Sequence, residues 1–583
     1  MKYLFLFLLV FNLSVFGQTY APKNIAYESL DLGAPMDIPL ILAGNFGEMR
    51  SNHFHTGLDI KTQGVEGHKI KSIADGYISR IRVSPWGYGN AIYIDHLNGL
   101  TSVYAHLSTF PAKIDSLFRK KHMEKEAYVL DEIVLDDSIF VRKGELIAFS
   151  GNSGSSSAPH LHFEIRETAT EHALNPLLFK VYRDAISDKI KPKISGLKIY
   201  AIDSNGYMIP NKAIYLTAKK EGNNYTVNND QAIDLNSIIT EHSQLAFGIH
   251  TTDKLDGAHN VCGVHHTVVQ KENHVHHEQK IDYIDFAANR YMNSHKDYIE
   301  NKQNRRNIHK QFTTLLNPLP IYIKNNGKFD WQSCGGTYTF DVYDIHKNKS
   351  VLHVKIATPN PKAASKNPFE SNNYYFPHDV NTLIKENLQV LLEPGTFYEP
   401  LQKIYREDTQ STYLSAIYQF GEYSIPVQEK YDIRIKTPVL PKDFPVHKLG
   451  IGLINDRGNL SFLGGSYIDG WVEAHPKNFG QFVLTIDTIP PTIQPLDFKN
   501  EKVITKYNTL ELSIKDDLAG IMEYKAYLNG KWVLMIHNRR KKRFIIPLDK
   551  YSKPILEKGK NKIRISAVDY KGNKTEKSYV LIY

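Results

Sequence analysis

The 583-residue sequence predicts a mainly β protein, an antiparallel β-sheet domain followed by β-sandwich domains. Three observations point there. Strand-length apolar alternation is broken repeatedly by Asp-Gly, Asn-Gly and Lys-Gly pairs, as in "GHKIKSIADGYISRIRV", "GNAIYIDHLNGLTSVYAHLS" and "VRKGELIAFSGNSG". Tyrosine (35) and phenylalanine (27) are plentiful, as strands favour. An internal repeat then recurs in the second part of the chain. "DKIKPKI" at 188–194 matches "DTIPPTI" at 487–493, and each copy closes on an aspartate four residues before an asparagine, Asp344 to Asn348 and Asp569 to Asn573.

Taken in order, the chain opens on "MKYLFLFLLVFNLSVFGQ", a basic residue, a short apolar run and small residues around Gly17. This is the pattern of a secretory signal over 1–17, with a cut between Gly17 and Gln18. The run is too short for a permanent anchor, and no cysteine follows it to carry a lipid, so the expectation is an exported, soluble chain that is periplasmic, envelope-associated or secreted. Removal of the segment takes the formal net charge from +9 to +8. A mildly basic surface suits anionic partners such as wall polymer, although solubility alone explains it, and nothing points to nucleic acid. Cys262 and Cys334 are the only cysteines, too few for a disulfide framework; after export the expectation is one bridge between them.

The first domain is read over 36–182, with a charged stretch over 111–137 inserted into it; Pro111 opens the best helix candidate there. The repeats mark β-sandwiches at 188–357 and 487–583, the first enlarged by an insertion of 74 residues, since the copies span 160 and 86 positions. Short alternating strands ending in such turns resemble immunoglobulin-like modules. Between them, 360–486 reads as a β-rich domain of no assigned type.

The chemistry is concentrated in the first domain. "HFHTGLDI" at 53–60 supplies His55 and Asp59; "SVYAHLS" supplies His106; "SGNSGSSSAPHLHFEIR" at 150–166 supplies His160 and His162, which share a strand face with Glu164. A catalytic zinc needs about three nitrogen or oxygen ligands and an open position. His55, Asp59 and one of the pair His160/His162 meet that need, leaving the other histidine and His106 beside the metal as a base and hydrogen-bond donor.

The order H-x-x-x-D, Y-A-H-L, S-G-x-S-G and P-H-L-H-F-E resembles the lysostaphin/LytM-type zinc metallopeptidases, which cut peptide bonds of bacterial peptidoglycan. "GNFGEMR", "IADGYISRI" and "GYGNAIYIDH" extend the resemblance over about residues 40–178. It implies one zinc held by His55, Asp59 and His162, catalytic roles for His106 and His160, and peptidoglycan peptides as substrate. Ala158 stands where the family usually has glycine, and the stretch 111–137 departs from the family's short connection and so reshapes the groove. His53 falls outside the pattern. Glu164 is either an acceptor behind a ligand or the partner of Arg166.

Other readings are a wall-binding scaffold with structural zinc, and a zinc peptidase acting on proteins. A second histidine group, His259, His265, His266, His274, His276 and His277, lacks familiar ligand spacing and reads as a polar strand face. Everything beyond about residue 185 is expected to position the enzyme, through wall, envelope or protein contacts, and to take no part in its chemistry.

Overall fold

Along the strand His160–Glu167, Leu161, Phe163 and Ile165 are fully buried on one face while His160, His162 and Glu164 take the other. That alternation separates core from site throughout the first domain of the computed structural model. The structure describes residues 25 and 27–583 except 135–137, 241–242, 361–368, 370–371, 456 and 505–508; the expected signal segment lies outside the described residues.

The chain is mainly β, as its alternation implies. His160–Glu167 sits between Leu58–Lys61 and Leu100–Leu107, antiparallel to both, in a ten-stranded sheet that continues through Asn90–His96 and Gly76–Val83. The register places His162 directly opposite Asp59 and opposite Ala105. A slip of one residue would send both to the core face.

Pro111 precedes the helix Ala112–Lys125, whose Ile114, Leu117 and Phe118 join the domain core. The strand Leu130–Ile133 then extends the sheet edge on Gly76–Val83. The helix also receives the last domain: Arg119 donates to Asp549 (2.6 Å), Tyr551 to Asp115 (2.9 Å) and, just past the helix, Tyr527 to Glu126 (3.1 Å). The inserted stretch is thus a docking face.

Three more cores follow, each enclosed by a pair of antiparallel sheets. In the first, Lys193–Ile202 and Gln244–Thr252 lie in one sheet, Gly336–Tyr343 and Lys349–Ile356 in the other. In the last, Thr492–Pro495 and Thr509–Lys515 oppose Lys560–Asp569 and Lys574–Ile582.

The first core does not stop where the first domain was expected to end. Leu255, Ile281, Tyr283, Ile284, Met292 and Leu319 belong to it, and the strand Tyr283–Ile284 pairs with Ala173–Leu174 at the sheet's margin. This packing also corrects the expected disulfide. Both cysteines are buried and free: Cys262 lies in the first core, Cys334 in the second, so each is held as an apolar side chain in a different hydrophobic interior. The second histidine group is not a solvated face throughout. His265 pairs with Asp282, His266 with Glu278, and His277 is fully buried beside Gln279.

One tie between the added segment and the first domain is a pair of bonds at Phe54, whose N–H donates to Asn289 Oδ1 (2.7 Å) and whose carbonyl accepts from Asn289 Nδ2 (3.1 Å). Asn289→Ala leaves two buried backbone groups unpaired, a loss of about 1–3 kcal/mol. Chemical denaturation followed by the signal of the first domain should show that loss, while the melting of the C-terminal sandwich stays unchanged.

Candidate metal centre

The glycine between His55 and Asp59 is demanded by packing. A Cβ at Gly57 would stand 2.5 Å from the Phe163 carbonyl oxygen and 3.1 Å from the His162 ring. With no side chain there, the loop before Leu58–Lys61 lies flat on the strand His160–Glu167. Three ligand-type atoms then converge. His55 Nε2 is 3.0 Å from Asp59 Oδ1, His162 Nδ1 is 2.9 Å from the same oxygen, and the two nitrogens are 3.1 Å apart. All three residues are buried and form a group able to hold a metal ion.

The donor set fits a metal on an observation of its own. His55 donates its Nδ1–H to the Asn45 carbonyl (2.8 Å) and His162 its Nε2–H to Glu164 Oε1 (2.8 Å). Each ring's other nitrogen therefore turns a lone pair toward the Asp59 carboxylate. Lone pair against lone pair at such distances requires a cation between them, a proton or a metal. Burial opposes charge on His162, but Asp59 and Glu164 override it and hold the ring's pKa up at about 9. Burial likewise works against a charged Asp59, yet the three surrounding histidines keep it well below the usual carboxylate range.

Glu164 settles the choice the sequence left open by doing both things. It is fully buried; Oε1 accepts from His162, Thr56 (2.5 Å) and Tyr88 (2.5 Å), and Oε2 accepts from Arg166 Nε (2.8 Å) and Nη2 (2.6 Å). Arg50 donates to the far oxygen of Asp59 (2.8 Å), and Asn45 is fixed by two 2.8 Å bonds to Gly263. Arg50, Asn45, Tyr88 and Gly263 were not singled out in the sequence. The stretches "GNFGEMR" and "GYGNAIYIDH" contain three of them, Asn45, Arg50 and Tyr88, with no role assigned.

Beside this group stand the other two histidines. His106 takes a left-handed conformation (φ +60°), unusual for a residue with a Cβ, and its N–H is held by the Tyr88 carbonyl (2.8 Å). Its Nδ1–H donates to Ser153 O (2.9 Å), so Nε2 is left as the acceptor. Burial, then the neighbouring His160 and His162, push its pKa down to about 3, and the ring is neutral at physiological pH. His160 donates Nδ1–H to Ala158 O (2.9 Å) and turns Nε2 to within 3.4 Å of Asp59 Oδ1. The His106 and His160 rings are 4.6 Å apart. His53 is exposed, and its Nδ1 bonds to Asn52.

The rim includes distant sequence. The Arg539 guanidinium lies 3.4 Å from the centroid of Trp86, on the loop leading to Tyr88. The Asn152 amide takes the orientation in which its nitrogen donates to Ser156 Oγ (2.6 Å) and Ala158 O (3.2 Å), with its oxygen accepting from Arg540. Ser156 and Ala158 are the two contacts of His160 Nδ1. Residues beyond 185, expected to position the enzyme without sharing in its chemistry, thus include Arg539 and Arg540 at the edge of the centre.

Residues 53–121 and 119–176 match Peptidase family M23, and the chain carries a domain of that family. Residues 372–487 match the Zu5-like domain, which supplies a type for the block left unassigned by sequence. The DD-carboxypeptidase/endopeptidase Mpg of Neisseria meningitidis serogroup B is 35% identical over 112 residues, 19% of this chain and 20% of that protein. The murein hydrolase activator EnvC of Escherichia coli is 30% identical over 113 residues, again 19% and 20%. The match spans about a fifth of the length of these relatives. Among solved structures, the catalytic domain of lysostaphin from Staphylococcus simulans is 24% identical, covering 24% of this chain and 91% of that one with a TM-score of 0.18.

Since metal must displace the proton of His162, metal affinity should rise with pH up to about 9 and level off above it. Glu164→Gln removes the charge that orients and enriches that ring, and should weaken metal binding about 10–100-fold. Competition with a chelator across pH measures both; an affinity independent of pH from 6 to about 9 would contradict the arrangement.

Proposed function

We propose that the chain is an exported zinc endopeptidase that hydrolyses the peptide cross-links of bacterial peptidoglycan. The observation that carries this reading is the pair of further imidazoles, His106 and His160, beside a complete ligand group. A binding scaffold with structural zinc needs no such spare bases, and a regulator that has lost catalysis has no need of all three ligands. His55, Asp59 and His162 would hold one zinc, which when bound supplies Lewis acidity and lowers the pKa of a coordinated water. His106 Nε2, unprotonated, accepts the proton of the attacking water, and His160, anchored through Nδ1, donates from Nε2 in its protonated form to the oxygen that gains charge at the scissile carbonyl.

Trp86, Arg539 and Arg540 give the groove an aromatic and cationic rim, suited to peptides that carry free carboxylates, as wall peptides do. The sandwiches hold this rim in place and offer surfaces toward wall, envelope or a protein partner. Among the described residues no helix is long and apolar enough to cross a membrane.

Asp59→Ala should lose metal while keeping its fold, because its carboxylate lies on the face of the sheet opposite the apolar core. His106→Ala and His160→Ala should keep metal and lose about two to four orders of magnitude in rate. Metal content and mass spectrometry of muropeptides released from defined walls, run beside an unrelated protein substrate, test these together. Wild-type rates in His106→Ala, or cleavage of the protein substrate alone, would sink the proposal.

A further inference from the structure

The repeated Asp-x-Ile-x-Pro-x-Ile starts play no part in the chemistry above, yet their aspartates are among the most deeply buried acids of the chain. In the first copy Asp188 meets Asp253 and Asp344, with one ligand oxygen from each lying within 4.8 Å of the others. The three are 7%, 3% and 4% exposed. Among the described residues no lysine or arginine forms an ion pair with any of them.

The oxygens can be accounted for individually. Asp344 Oδ1 and Oδ2 accept from the N–H (2.8 Å) and Nδ2 (2.6 Å) of Asn348, and Asp188 Oδ1 accepts from Ile190 N–H (3.0 Å). Asp188 Oδ2 and Asp253 Oδ1 are buried with no hydrogen-bond partner. Three carboxylates in a dry site with unmet acceptors are unstable without a positive charge. Burial, reinforced by like charge, pushes Asp253 up to about 8 and Asp188 up to about 6, with His346 and Asp256 the other titratable groups facing Asp188.

The second copy repeats the frame bond for bond. Asp487 Oδ1 accepts from Ile489 N–H (3.1 Å), and Asn573 binds Asp569 (2.9 and 2.7 Å) and the Asp487 carbonyl (3.1 Å), just as Asn348 binds Asp344 and the Asp188 carbonyl (3.0 Å). Asp253 follows a strand whose Thr252 faces Lys193; Asp516 follows one whose Lys515 faces Thr492, so the two correspond. The difference lies in the neutralising groups. Asp487 Oδ2 accepts from Ala519 N–H (2.9 Å), and Asp516 Oδ2 accepts from Leu518 (3.2 Å) and Gly520 (2.7 Å) N–H. Asp516 is also only partly buried. Backbone amides reach both Asp487 and Asp516 there and leave Asp516 Oδ1 without a partner, whereas in the first copy Asp188 Oδ2 and Asp253 Oδ1 both lack one.

We propose that Asp188, Asp253 and Asp344 form a calcium site at the junction between the peptidase domain and the first sandwich. An all-oxygen set of three carboxylates selects a hard divalent cation, and magnesium, which gives up its waters reluctantly, suits a closed protein cage less well. The ion would join three separate segments: the linker three residues beyond the helix Lys180–Ala185, the end of Gln244–Thr252, and the turn from Asp344 to Asn348. It would thereby stiffen the angle at which the peptidase domain leaves the sandwich.

The test is calorimetric titration of the full-length, zinc-loaded chain with calcium chloride, with thermal unfolding read alongside. One calcium per chain is expected, with a dissociation constant between about 10⁻⁶ and 10⁻³ M, and a rise in the first melting midpoint. Asp253→Asn, and independently Asp188→Asn should the former not fold, should weaken binding at least about tenfold and erase the shift, whereas Asp516→Asn should keep both. Absence of heat and of any shift up to about 10 mM calcium would overturn the site, since that exceeds the weakest affinities of extracellular calcium modules. Equal affinity for magnesium, or loss of binding in Asp516→Asn with Asp253→Asn unaffected, would do the same.

Discussion

The candidate metal centre depends on one carboxylate that is not itself among the ligand-type residues. Glu164 is fully buried and gathers Thr56 from the first ligand loop, Tyr88 from the loop beside His106, His162 from its own strand, and Arg166 behind it. Taking a lone carboxylate out of water is costly, and four donors together make it tolerable. These bonds set the tautomer of His162, the position of Tyr88, and through the Tyr88 carbonyl the backbone of His106. Removing one of these partners disturbs the others, because all share a single acceptor.

The second organising constraint is the way a long chain returns to its first domain. Gly263 fixes Asn45, whose carbonyl holds His55; Asn289 fixes Phe54; and Lys296 donates to the carbonyls of Arg50 (3.2 Å) and Ser51 (2.8 Å). The loop carrying His55 is thus braced from residues more than 200 positions away. From the other side, the helix Ala112–Lys125 carries the last sandwich, and Arg539 and Arg540 reach the rim. The additional domains act as walls and braces of the centre as well as spacers.

Much of the centre could be read from residue order. Strand alternation puts His160, His162 and Glu164 on one face without reference to any neighbour, and the glycine at 57 marks close backbone approach. The helix after Pro111 was likewise legible, because proline at a helix start and the charged face that follows are local signals. The disulfide expectation failed because proximity in sequence context and compartment say nothing about which hydrophobic core a cysteine enters.

By itself, the sequence determined the β class, the strand faces, the identity of the histidines and the aspartate, and the repeated starts of the sandwiches, since all of these follow from period-two alternation and short-range turn chemistry. Only the tertiary structure decided which atoms meet. That Asp59 lies opposite His162, that Glu164 meets Thr56 and Tyr88, that Gly263 braces His55, and that Asp188 and Asp253 share a buried cluster are matters of register and long-range packing. Such contacts join segments tens to hundreds of residues apart, and no local pattern encodes which partner a buried polar atom will find.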